Sequence, residues 1–221
     1  MPPNEQTLRE TEQKFPKRTA KAASTRERIL ESATHLFLQE GFSNTSLDKV
    51  AVEAGTTKPT VYSHFKSKQG LLDAIISRHA EQRLEKLDEL LTLTGDPKHD
   101  LVQFGNFFLF DVLSPQKQRW DRLAAAEAMT NPEVGEIFYR VGPARLMKRL
   151  TSYLKTQTES GKLNVEKPER AAEQLVGLLL GIDILRMQIG QKPPGKPTLR
   201  KRCTEAIAVF LAAYGAGATH E

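Results

Sequence analysis

A chain of 221 residues, 39% of them hydrophobic, can bury one substantial core or a small domain beside a larger one. Its formal charge of +5 suits a polyanionic partner without requiring one, and a single cysteine, Cys203, excludes an internal disulfide or a multi-cysteine zinc site. No apolar leader opens the chain, and the longest apolar run, Leu175 to Leu185, is too short for a bilayer and contains Asp183, so a soluble, cytoplasmic protein is expected.

Residues 1–23 are polar, contain three prolines and lack hydrophobic periodicity, which predicts a flexible basic arm. Its basic residues continue through Arg26 and Arg28, where an arm can meet phosphates on binding or stay a solvated tail. Ser24-Thr-Arg-Glu27 forms a capping box ahead of a helix carrying Ile29, Leu30, Ala33, Leu36 and Phe37, stopped by Gly41. Thr45 or Ser46 caps a second helix ended by Gly55, with Leu47, Val50, Ala51 and Ala54 inward. Thr56 or Thr57 caps a third, with Pro59 in the first turn where no amide donor is needed. Ser67 caps a long fourth helix running towards Leu93.

Past the Thr94-Gly-Asp-Pro97 break the pattern stays helical. A phenylalanine-rich helix runs from Leu101 to Leu113, another from Pro115 to about Met129, and a long one from Asn131-Pro132 to Ser160-Gly161, kinked at Gly142-Pro143. A strongly apolar helix follows from Pro168 to Ile189, and the last spans about Thr198 to Tyr214. The reading is all-α, with about nine helices. It divides into an arm (1–23), a three-helix unit (24–70) and a larger helical domain (71–221).

Two short helices joined by a glycine turn, the second rich in hydroxyls, suit a helix-turn-helix reader of the DNA major groove. If Val61 and Phe65 face the core, Lys58, Pro59, Thr60, Tyr62, Ser63 and His64 are left on the exposed side. Lys58 can bond guanine or a phosphate, Pro59 and Tyr62 can touch a thymine methyl, and Thr60, Ser63 and His64 suit phosphate or base-edge bonds. Thr45, Ser46 and Thr57 sit at helix starts, and Lys68 in the first turn of the fourth helix, where free amides suit phosphates. Spacing alone equally permits a plain polar surface on a three-helix bundle.

Residues 24–76 resemble the DNA-binding domain of the tetracycline-repressor (TetR) family of transcriptional regulators. The resemblance rests on Ile29-Leu30, Ala33, Leu36-Phe37 and Gly41-Phe42, on Thr45-Ser46, Val50-Ala51 and Ala54-Gly55, and above all on Thr57-Lys-Pro-Thr-Val-Tyr-Ser-His-Phe-Lys-Ser-Lys68 with Leu71-Leu72. It implies base or groove contacts from Lys58, Pro59, Thr60, Tyr62, Ser63 and His64, and phosphate clamping by Ser46 and Lys68. Two positions depart from the pattern. Gln69-Gly70 replaces an acidic pair, weakening the start of the fourth helix, and Asp48 stands where some members place a basic residue. The segments Ala124–Tyr139, Gly142–Leu150 and Gly161–Gly181 resemble the AefR-like branch, which implies a helical ligand-sensing and dimerisation domain.

Phe104, Phe107, Phe108, Trp120, Met129, Phe138 and Tyr139 are candidates to line a ligand pocket, with plain core packing the alternative for each. The helix from Ala171 to Ile189 carries more apolar surface than one partner face needs. Its Leu175, Leu178, Leu179, Ile182 and Leu185 are candidates for a dimer interface, a four-helix bundle across a two-fold axis. Asp183 and Arg186 are spaced to pair with each other or across the dimer, with a ligand contact the alternative. The five histidines show no metal-ligand spacing, and no nucleophile or phosphate-loop motif occurs, so neither catalysis, a metal nor a cofactor is expected. The expected partners are double-stranded DNA with a palindromic operator, a small and largely apolar ligand, and a second copy of the chain. The alternative is a helical module that binds only protein or a small molecule, its helix-turn-helix vestigial.

Overall fold

The computed structural model describes residues 24–91 and 94–217. The basic arm, 1–23, lies outside the described residues. Eleven helices are present among those described, and the only β feature there is an isolated antiparallel bridge, Leu163 with Gly215.

The N-terminal part comprises α1 (Thr25–Glu40), α2 (Leu47–Glu53) and α3 (Lys58–Phe65), closed by the start of α4 (Lys68–Leu90). Each begins on a hydroxyl cap: Ser24 accepts from the Glu27 amide, Ser46 from Lys49, Thr57 from Thr60 and Ser67 from Gly70. Ile29, Phe37, Val50, Val61, Leu71 and Leu72 meet in a core where each is fully or almost fully buried. The α3–α4 junction is tight. Lys66 takes a left-handed φ of 66°, and a Cβ on Gly70 would lie 2.1 Å from the Phe65 carbonyl oxygen, so only glycine fits there. Gly70 therefore trades helix propensity for close approach of α3 to α4.

The larger part contains α5 (Pro97–Val112), α6 (Pro115–Ala128), α7 (Pro132–Val141), α8 (Pro143–Glu159), α9 (Pro168–Leu180), α10 (Asp183–Gln188) and α11 (Lys196–Tyr214). The expected kink at Gly142-Pro143 is a full break, because Pro143 has no amide to donate and bars its predecessor from helical geometry. The apolar helix from Pro168 is broken at Gly181, whose φ of 51° ends α9. These two breaks turn nine sequence segments into eleven helices. α5 packs against α11, α8 against α9, and α4 against α7. The α5–α11 approach is close: a Cβ on Gly105 would lie 2.6 Å from Cys203 Sγ. Cys203 is buried there, and burial pushes its thiol up to about 11.

Candidate functional site

Helical phase decides what α3 shows to solvent. Val61 and Phe65, one turn apart, are 0% and 6% exposed, which turns Lys58, Pro59, Tyr62, Ser63 and His64 outward, with Thr60 half-buried. Tyr62 is a large aromatic ring 57% exposed with no partner face in the protomer. Lys58 donates to Asp48 Oδ2 at 2.7 Å, an ion pair open to solvent. The acid in α2 that departs from the family pattern thus holds the lysine at the start of α3. Thr57 and Thr60 hydroxyls share a 2.9 Å bond, and the Ser63 hydroxyl donates to the Thr60 carbonyl at 2.8 Å. Ser46 is exposed at the α2 start.

Two residues of the expected interface are engaged elsewhere. The Thr45 side chain is turned inside, 1% exposed, with its hydroxyl donating to the Gly41 carbonyl at 2.8 Å. Lys68 folds back over the α1–α2 loop, where its ammonium donates to the carbonyls of Phe42 (2.9 Å), Ser43 (3.2 Å) and Thr45 (3.0 Å) and lies 4.5 Å from the Phe42 ring centre. An ammonium has three protons, so its donors are all used. Burial lowers its pKa, with Glu127 pulling it back up. Thr45 is thereby placed inside the fold and Lys68 ties the loop together, because each polar head meets loop carbonyls.

The same loop is gripped from the far side. Glu127, near the end of α6, accepts from the Ser43 amide (2.9 Å) and hydroxyl (2.5 Å), while Asn131 Nδ2 donates to the Ser43 hydroxyl oxygen at 2.9 Å. Asn131 sits at the N-cap of α7 without capping it; its amide serves this junction instead. Burial works to raise the Glu127 pKa, but the hydrogen bonds from Ser43 and Asn131 outweigh it and leave the carboxyl below its ordinary value. Sequence gave no hint of a contact 84 residues apart.

A cavity of about 290 Å³ opens between α4, α5, α6, α8 and α9, lined by Leu84, Leu87, Phe107, Phe108, Leu146, Met147, Val176 and Leu180. A second chamber of about 230 Å³ is lined by Ile76, His79, Trp120, Ala124, Phe138 and Tyr139. Of the candidates, Phe107 and Phe108 border the first cavity, and Trp120, Phe138 and Tyr139 the second. Phe104 is not: it is fully buried in the core, stacked on Phe108 with ring centres 5.6 Å apart. Met129 is 86% exposed after α6 and lines neither chamber. The charged members Arg83, Asp111, Lys117 and Asp121 were missed because such residues read as solvated faces. The one available signal was the i,i+4 spacing of Lys117 and Asp121, which pair.

On the α9–α10 surface Leu178, Ile182 and Leu185 are 39%, 53% and 54% exposed, joined by Ile189 and by Val209 of α11. Leu175 and Leu179 are fully buried within the protomer, on the α9 face that meets the core, and are corrected to core residues. Asp183 is buried and accepts from Arg186 at 3.3 Å and from Arg202 of α11.

Residues 29–75 match the family described as bacterial regulatory proteins, tetR family, and residues 99–216 match the AefR-like transcriptional repressor, C-terminal domain. The chain belongs to the tetR family of transcriptional regulators. It is 26% identical over 187 residues to the uncharacterized HTH-type transcriptional regulator YvkB of Bacillus subtilis, covering 85% of this chain and 95% of that one. A crystal structure assigned to the same family, from Mesorhizobium loti, superposes with a TM-score of 0.77 at 26% identity, over 86% of this chain and 96% of the other. The flavonoid-responsive regulator FrrA gives 0.76 at 26% identity, over 86% and 97%. This regulator therefore carries a DNA-binding helix-turn-helix within residues 29–75.

Proposed function

We propose that this regulator is a cytoplasmic homodimeric repressor, released from a palindromic operator by a small, largely apolar ligand. The observation that carries the reading is the continuity of α4. Its first residue stands three positions after the end of α3, and its Ala80, Arg83, Leu84 and Leu87 form one wall of the cavity. A ligand that displaces this wall moves the helix against which α3 is seated. Base and phosphate contacts come from Ser46, Thr57, Lys58, Pro59, Thr60, Tyr62, Ser63 and His64. The boundary between reading and sensing parts falls near residue 70.

Dimerisation uses the uncovered Leu178, Ile182, Leu185, Ile189 and Val209 of α9–α11, packed as a four-helix bundle about a two-fold axis. Two heads then meet successive major grooves when separated by about 34–36 Å or a multiple of it. A largely apolar ligand agrees with the lining of both chambers, and the flavonoid response named for FrrA is in keeping with it. A gel shift with DNA flanking the regulator's own gene, with competitor DNA at moderate salt, tests the reading. A specific band that fades as ligand is added supports it. A folded dimer that retards no duplex overturns it in favour of an interaction module with a vestigial reader.

A further inference from the structure

The two chambers meet at a charged waist. Arg83, Lys117 and Asp121 line both, and Asp111 lines the larger one beside them. Arg83 Nε donates to Asp111 Oδ1 at 2.9 Å, and Lys117 pairs with Asp121. All four remain reachable, with side chains 22–35% exposed. The waist holds two cations and two carboxylates, so it sums to zero.

That balance selects for ligand charge. A carboxylate entering here meets Asp111 and Asp121 at the same time as the cations, and a quaternary ammonium meets Arg83 and Lys117. Either brings an uncompensated charge between apolar walls. A hydroxyl has no such conflict, since it donates to a carboxylate and accepts from an ammonium or guanidinium in one place. Burial raises the Asp111 pKa against the pull of Arg83 and Lys117. The flanking walls differ: leucines and Met147 on one side, Trp120 and Phe138 with the His79 ring on the other. Burial, then Arg83 and Arg78, lower the His79 pKa, so that ring adds no charge.

Resting on the ligand-responsive reading above, we infer that the cavity takes a net-neutral molecule that carries a hydroxyl on an otherwise apolar frame. Its hydroxyl is seated among Arg83, Asp111, Lys117 and Asp121.

The test is calorimetric titration of the full chain, without DNA, with four probes of one shape: 4-hexylphenol, 4-hexylanisole, 4-hexylbenzoate and 4-hexylphenyl-trimethylammonium. The phenol is expected to bind at least about tenfold more tightly than each of the others, the loss of one hydrogen bond to charged groups. Binding also shifts the emission of Trp120, the chain's one tryptophan, which places the probe in the cavity. In Asp121→Asn the phenol's advantage over the anisole shrinks, since only the phenol donates to that carboxylate, and in Lys117→Met both probes weaken, since both oxygens accept from the ammonium; far-UV circular dichroism shows that the variants are folded. Equal affinity of phenol and anisole, a charged probe binding best, or no probe binding at all overturns the inference. Specific DNA binding, measured by anisotropy without any probe, is read separately. If it persists when the probes fail, only the ligand class is lost; if it fails while the phenol order holds, the repressor reading is lost instead.

Discussion

Tyr62 sits one position from a fully buried valine and three before a buried phenylalanine, yet its own ring is 57% exposed. In the proposed function this exposed ring is the part of α3 that reaches the DNA groove. Replacing Tyr62 by Ala is expected to weaken operator binding by about 1–3 kcal/mol and to leave random DNA almost unaffected, read as two anisotropy titrations at one salt concentration. Equal losses on both DNAs would assign the ring to positioning the backbone. Lys68 gives the opposite expectation. A phosphate-clamping lysine, once removed, flattens the salt dependence by about one unit. With its three protons on loop carbonyls, Lys68→Met instead leaves the salt slope unchanged and lowers thermal stability by about 1–2 kcal/mol, from carbonyls left short of donors. A flattened slope with unchanged melting would return Lys68 to the DNA. The sequence placed Lys68 correctly, in the first turn of α4, but the direction of a long side chain depends on a loop 23 to 26 residues earlier.

At the scale of elements, local signals were readable. Hydroxyl caps, first-turn prolines and glycine stops act within a turn of the chain, so Ser24, Ser67 and Gly41 could be assigned directly. The pairs left open, Thr45/Ser46 and Thr56/Thr57, each contained the observed cap, Ser46 and Thr57. What could not be read is how α6 meets the α1–α2 loop, since nothing near Glu127 marks Ser43 as its partner. On the proposed function, this junction would be a second route from cavity to DNA reader. Lys117, Trp120, Asp121 and Ala124 of α6 line the chambers, and Glu127 follows Ala124 by one turn. Glu127→Ala is expected to keep DNA binding but to reduce the ligand–DNA coupling by about 0.5–2 kcal/mol. Operator affinity with and without saturating ligand measures this, and an undiminished ratio would confine the signal to α4. The junction also has a pH signature. The Glu127 carboxyl titrates below its ordinary value of 4.5, so its stabilisation is complete above that value and disappears as pH falls through the lower, folded-state one. Melting temperatures of wild type and Glu127→Gln should therefore differ at neutral pH and converge as the pH falls below the ordinary carboxylate value. A constant gap would show that the carboxylate's charge is not what holds the loop.

For the whole molecule, the apolar helix after Pro168 was legible as an element with surplus hydrophobic surface. The division of that surface was not legible, because it depends on which side α8 and α11 cover. They bury Leu175 and Leu179 and leave Leu178, Ile182 and Leu185 uncovered. If the uncovered set joins two copies, it also creates the operator specificity, since one head bound to one half-site raises the effective concentration of the other to about the millimolar range. Leu185→Glu places a carboxylate in the middle of that contact while altering a side chain already 54% exposed, so the protomer itself should fold normally. Sedimentation should then report monomers where the wild type sediments as a dimer. Affinity for a palindromic duplex should drop by about 10²–10⁴-fold, to the level of a single half-site. Binding to an isolated half-site should stay the same, because no residue of α3 has changed. If the variant remains a dimer, or if the wild type binds palindrome and half-site equally well, the α9–α11 surface does not set the spacing of the heads.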